Sequence, residues 1–354
     1  MKHLLMMTAA SFAVTATSAF AGGIERSSQS VGILFEEGRY GEFSFSVVSP
    51  KVSGSFGAVP SGDMAPSYQN FAFGYKQDFG DNLSFALIVD QPIGADVSYA
   101  NAVATYPFVG STATVSSHAI TGLLRYKFQN NFSIYGGLRA EAISGQVALT
   151  SGYRLNVGND YEMGYVLGVA YEKPEIALRV ALTYSSEIEH EFTDVTEVSL
   201  HPNAGNPFST TVPKSVNLEF QSGVAKDTLV FGSIRWVDWT VFDISPGGLG
   251  GASLVDYTND TITYNIGVGR RFNEKWSGAV TLGYEETKGD PVGNLGPTDG
   301  SLSIGVGATY TMNNMKITAG VRYIDIGDAT TTTIGANFAN NSAIAAGFKI
   351  GFSF

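Results

Sequence analysis

The sequence predicts an all-β fold, a 14-stranded antiparallel transmembrane β-barrel with a short N-terminal plug segment. Three observations predict it. Apolar residues recur two apart along nearly the whole chain, as in the C-terminal row Phe348, Ile350, Phe352 and Phe354 with Lys349, Gly351 and Ser353 between them. A period of two makes one face of a strand greasy and the other polar. The segments are long enough to cross a bilayer at a tilt, which takes about 9–11 residues. Finally, 44% of the residues are hydrophobic and only 15% are charged, against about 25% charged in a soluble domain. A lipid-facing exterior accounts for the deficit, because Lys or Arg at the bilayer midplane costs about 2–4 kcal/mol.

The N-terminus reads as an export signal. Lys2 and His3 form a polar head, Leu4 to Ala16 are mostly apolar, and Ala19-Phe20-Ala21 supplies a small-residue cleavage pattern. Residues 1–21 are therefore expected to be a signal peptide, 22–40 a short hatch and 41–354 the barrel. The apolar stretch is shorter than the ~20 residues of a spanning helix, and no later run is long enough to be one. The chain has no cysteine, consistent with a barrel that needs no disulfide in an oxidising compartment. Its net charge of −11 gives no basic surface for nucleic acid.

Alternation and turn residues divide the remainder into strands near 41–53, 67–79, 82–91, 113–128, 131–147, 160–172, 175–190, 214–225, 228–243, 260–272, 275–287, 301–312, 315–326 and 343–354. After even strands the links are tight: Gly80-Asp81, Gln129-Asn130, Lys173-Pro174, Lys226-Asp227, Asn273-Glu274 and Asn313-Asn314 are turn sequences. After odd strands they are longer, as in 54–66, 92–112, 148–159, 191–213, 244–259, 288–300 and 327–342. Short turns face the periplasm in such barrels and long loops face outward. An even strand number then returns both termini to the periplasmic side of a Gram-negative outer membrane, with Phe354 presented to barrel-assembly machinery.

Parity assigns the faces. Phe71, Phe73, Leu124, Tyr126, Leu167 and Val169 point to lipid, with aromatics toward the ends of the rows as interfacial girdles require. The opposite parity carries Asp90, Arg125, Lys127, Arg139, Glu141, Glu162, Glu172, Arg179, Glu219, Arg322 and Lys349 into the lumen. Ahead of the first strand, Val31, Ile33, Leu34 and Phe35 are apolar filler for a plug, with Glu36, Glu37 and Arg39 as lumen partners.

Two stretches carry a resemblance. Pro92-Ile93-Gly94 followed by Tyr99 comes after the third strand, and Pro213-Lys214-Ser215-Val216 leads through Leu229 to Arg235-Trp236-Val237-Asp238-Trp239. Both resemble the outer-membrane transporters of long-chain fatty acids and aromatic hydrocarbons typified by FadL and TodX. The resemblance implies a monomeric barrel blocked by an N-terminal hatch. It also implies hydrophobic ligand caught outside, held in an inner pocket and released sideways beside a kinked third strand, which places the exit at Pro92 and Gly94. This chain departs from the family in its short hatch and in lacking an Asn-Pro-Ala motif there.

Other chemistry finds little support. A hydrolase needs nucleophile, base and orienting group within reach, and His118, His190 and His201 have no triad partner by parity. Gly247 to Gly251 lack the Lys-Ser/Thr of a phosphate loop. Glu187, Glu189, Glu191 and Asp194 read as a solvated wall. The expected function is non-enzymatic passage of hydrophobic small molecules through the outer membrane, with neither cofactor nor metal and lipid as the surrounding partner. A carboxylate on the ligand would prefer an inward Arg125, Arg139, Arg179 or Arg322. The competing function is a general diffusion porin for small polar solutes.

Overall fold

The computed structural model describes residues 24–354. The expected signal peptide and the first residues of the hatch lie outside that range. Fourteen strands form the wall: β1 (Tyr40–Lys51), β2 (Tyr68–Phe79), β3 (Leu83–Asp90), β4 (Thr112–Lys127), β5 (Phe132–Ala148), β6 (Arg154–Lys173), β7 (Leu178–Ser185), β8 (Ser215–Ala225), β9 (Thr228–Val237), β10 (Thr261–Arg271), β11 (Trp276–Glu285), β12 (Ser301–Met312), β13 (Met315–Ile326) and β14 (Asn341–Ser353). Each is antiparallel to the next, and β1 pairs with β14 from Tyr40 opposite Ser353 to Lys51 opposite Ser342, closing the ring. Closure leaves no free edge on the ring except where the third strand is interrupted, and a closed sheet is what lipid allows. Among the described residues no helix is long and apolar enough to cross a membrane.

Alternation fixes the two faces sharply. Leu123 is wholly buried and its neighbour Leu124 is 55% exposed. Phe71, Phe73, Tyr126, Leu167 and Val169 are likewise exposed on the outer face, while Asp90, Arg125, Arg139, Glu141 and Arg179 are buried inside. Glu162 has inward parity but remains exposed.

The tight turns bend where left-handed backbone is available, at Gly80, Asn131, Ala177, Asp227 and Asn313. The Phe354 N–H donates to the Arg39 carbonyl at 3.0 Å, so the wall begins and ends at this short-turn end.

Three expectations are corrected at the long-loop end. The link expected at 148–159 is only 149–153, because β5 and β6 run beyond the wall as a paired hairpin with a bulge between Ile143 and Gly145. β7 stops at Ser185 rather than 190. Ile188–Phe192 instead folds back to pair with Phe208–Val212. β9 stops at Val237 rather than 243, where Trp239–Val241 forms a single 3-10 turn and Trp239 packs against Phe242 and Tyr257. In the last two cases burial of large apolar side chains in the loops outweighs continued strand alternation. Two apolar clusters result, one around Tyr99, Tyr106 and Phe338 and the other around Trp239, Phe242 and Phe192.

A candidate transport site at a break in the wall

The third strand is interrupted. β3 pairs with β2 only from Leu83 opposite Phe79 to Val89 opposite Phe73, and the chain resumes as Gly94–Ser98, which pairs with β4 alone. Residues 68–72 of β2 therefore keep β1 as partner and lose their other neighbour. Pro92 lies inside the break, where its missing N–H costs no ladder bond. Side chains substitute for the ladder on both edges. Ser117 Oγ donates to the Ile93 carbonyl and accepts from the Ile93 N–H, both at 2.8 Å. Gln91 Oε1 accepts from the Phe71 N–H at 3.1 Å.

The N-terminal segment reaches this break from inside. Gly94 N–H donates to the Ile24 carbonyl at 2.9 Å and Arg26 N–H to the Pro92 carbonyl at 2.8 Å, so Glu25 and Ile93 form an antiparallel bridge. Arg26 then crosses the gap. Its guanidinium meets Asp96 at 2.6 Å and lies 4.1 Å above the Tyr68 ring, and Asn70 Nδ2 donates to its carbonyl at 3.2 Å. Gly94 makes room for it, since a Cβ there would stand 2.6 Å from the Arg26 side chain.

Further contacts pin the segment along its length. Glu25 takes Arg235 in a bidentate pair, with Arg235 Nε 2.9 Å and Nη2 2.5 Å from Oε1, and both residues are buried. Ser27 donates to Asp90 at 2.6 Å and Ser30 to Glu219 at 2.6 Å. Arg139 donates to Gln29, and through Nε to Thr121 at 3.0 Å. The next turn, Gly32–Phe35, is buried against inward side chains of the wall: Leu34 is fully enclosed, and Val31, Ile33 and Phe35 pack with Leu123, Tyr135 and Val166. Gly74 matches the same segment, because a Cβ there would lie 2.5 Å from Ile33. Phe35 sits between two guanidinium groups, Arg125 at 4.5 Å and Arg179 at 4.6 Å from its ring centroid, a cation–π arrangement.

The four inward arginines are thus in different situations. Arg125 pairs with Glu172 and donates to the Leu34 carbonyl. Arg139 and Arg179 hold the N-terminal segment as described. Arg322 stands apart on β13 and its nearest polar partners, Asn265 and Thr281, are 3.5 Å away, with no carboxylate in salt-bridge range among the described residues. Arg39 is exposed at the short-turn mouth rather than inside. Glu36 is buried, with Lys316 3.7 Å away and its carbonyl accepting from Lys76. The roles of Glu25, Arg26 and Gln29 were not legible beforehand. Two opposite charges in a polar segment ahead of the first strand were the only signal.

Cavities flank the segment. One of about 170 Å³ opens at the break, lined by inward Asn70, Asp90 and Ser46 and by the Phe71–Phe73 stretch of β2. A smaller one of about 60 Å³ lies on the outer side, among Val52, Met64, Val97, Tyr257 and Leu295. Arg26 borders both. A third of about 360 Å³ opens at the short-turn end beneath Phe35, lined by Lys76, Arg125 and Arg179. His190 is enclosed in the outer hairpin with Nδ1 2.9 Å from Asp160, and burial holds its imidazole below the ordinary histidine range against the pull of that carboxylate. No group of metal-ligating side chains occurs among the described residues.

Comparison with known proteins identifies this architecture. The family model described as outer membrane protein transport protein (OMPP1/FadL/TodX) matches residues 42–350. Among solved structures, a Pseudomonas aeruginosa FadL homologue superposes with a TM-score of 0.75 at 14% identity, over 91% of this chain and 92% of that one. The Pseudomonas putida toluene transporter TodX superposes with a TM-score of 0.67 at 12% identity, over 94% and 96%. The Ralstonia pickettii toluene transporter TbuX gives 0.61 at 14% identity, over 91% and 90%. A search of curated protein sequences finds no match. These likenesses share the closed 14-stranded barrel, and the family match spans nearly all of it; the chain belongs to the outer membrane protein transport family that includes FadL and TodX.

Proposed function

We propose that this protein is a passive channel that takes small hydrophobic compounds through the outer membrane and releases them sideways through the break in β3. The observation that carries the reading is the break itself, where residues 68–72 of β2 have no partner in β3 and a cavity lined by Asn70 and Asp90 opens beside them. An apolar ligand leaving there reaches acyl chains without crossing the aqueous periplasm, which is the favourable direction for apolar surface. The packed turn Gly32–Phe35 supports the same reading, since an axial route for polar solutes would have to pass it. The short-turn end faces the periplasm, the barrel acts as a monomer, and Phe354 is the mark read by assembly machinery. Where the ligand carries an acidic head, Arg322 is the inward arginine whose charge is not already committed to a carboxylate or to the N-terminal segment.

Uptake and conductance test the reading together. Vesicles carrying the protein should accumulate radiolabelled toluene or decanoate faster than protein-free vesicles while passing little ion current. Replacing Pro92 by Ala and Gly94 by Leu together should cut that uptake severalfold in a barrel that still folds. Large currents with sugar permeation and no uptake of either probe would instead establish the porin.

A further inference from the structure

We infer that the cavity at the break is a binding site for a small molecule with an apolar body and a hydrogen-bond donor at its head, such as a phenol, short alkanol or primary amine, in preference to a plain hydrocarbon or a carboxylate. The site rests on the lateral path proposed above and names the ligand chemistry that path favours.

Two buried acceptors inside the cavity have no donor. Asp90 is 5% exposed, and while its Oδ2 accepts from Ser27, its Oδ1 has no hydrogen-bond partner. Asn70 is 7% exposed, and while its Nδ2 donates to the Arg26 carbonyl, its Oδ1 also lacks a partner. Both residues line the same space of about 170 Å³. A dry cavity of about 150 Å³ already admits benzene. Ile33, Ala72 and Ile88 line the same space, so an aromatic or alkyl body has apolar surroundings and its head meets the acceptors.

Charge selects the head group. A buried acceptor left unpaired is costly, and a site built to bond a donor discriminates strongly against the analogue without one. Toluene would leave both oxygens as they are. Benzoate would bring a second carboxylate against Asp90, a like-charge pair. An ammonium is not opposed, because the cations lining the same cavity are already paired, Arg26 with Asp96 and Lys349 with Glu42. A hydroxyl or an ammonium therefore satisfies Asp90 or Asn70.

Calorimetric titration of the barrel in lipid nanodiscs, corrected with protein-free discs, tests this with the size-matched probes phenol, toluene, benzoate and benzylamine. Phenol and benzylamine should each bind at least tenfold more tightly than toluene and benzoate. Asp90→Ala combined with Asn70→Ala should bring the phenol-to-toluene ratio to about one. Since Asp90→Ala also frees Ser27, a second variant, Ser44→Leu, fills the cavity from β1 with both acceptors retained and should abolish phenol binding. Equal affinities for phenol and toluene in the native protein, tightest binding of benzoate, or phenol selectivity that survives both variants would overturn the inference. Toluene uptake measured in parallel separates the two readings: a protein that carries toluene but does not prefer phenol fails only this inference, and one that prefers phenol but carries neither probe fails only the transport reading.

Discussion

Single residues hold the N-terminal segment in place, and the strongest hold is the buried Glu25–Arg235 pair. Removing one partner of such a pair strands the other charge in a low-dielectric interior, at a cost of about 3–5 kcal/mol. Glu25→Ala should therefore release the segment from the break: limited proteolysis should cleave it ahead of Tyr40 many times faster, while β-sheet circular dichroism stays unchanged. His190 makes a second prediction. Its imidazole is held neutral by burial, so the folded protein binds fewer protons than the unfolded chain once the pH falls through the ordinary histidine value of about 6.5. Stability should decline as pH drops through that window, and His190→Gln should flatten this part of the urea-midpoint profile. Arg235 shows how far a motif carries meaning: it stood in the sequence as part of Arg235-Trp236-Val237-Asp238-Trp239, but that its partner would be Glu25, 210 positions away, follows only from the closed ring.

At the scale of elements, the broken third strand and the inserted segment act as one unit. On the β2 side of the gap Gln91 takes the Phe71 N–H and Asn70 reaches the Arg26 carbonyl, while Ser117 and the Ile24–Arg26 stretch hold Pro92–Gly94 on the other side, so the gap is covered without being sealed by continuous pairing. Deleting 22–39 from the mature protein should raise single-channel conductance severalfold in planar bilayers, because Val31, Ile33, Leu34 and Phe35 occupy the lumen between β2 and β7. Unchanged conductance would mean that the segment does not obstruct the pore. The tight turns were legible because glycine and asparagine announce left-handed backbone. The outer ends of β7 and β9 were not, because alternation continues into loops whose aromatic residues bury against each other rather than against lipid.

For the whole molecule, the exposed apolar belt demands a lipid or detergent surround. Leu167, midway along β6 and 52% exposed, faces that belt, so Leu167→Arg should cost about 2–4 kcal/mol of folding free energy in bilayers. Chemical unfolding from vesicles would measure it, and a neutral outcome would place Leu167 away from the midplane. The adjacent Val166 faces inward and is buried, so the same charge there would strike the hatch instead of lipid.

The sequence by itself determined the barrel, its fourteen strands, their faces and the alternation of short and long links, because these depend on local period and turn chemistry that each segment carries within itself. An exit at Pro92 and Gly94 was implied only by the family resemblance of that stretch. Which arginine is committed to which carboxylate, that Arg26 spans the gap, and that Asp90 and Asn70 share a cavity with Phe71 and Phe73 were decided only by tertiary structure. Those groups lie tens to hundreds of positions apart, and they meet because ring closure sets every strand's register and fixes which inward side chains share the lumen.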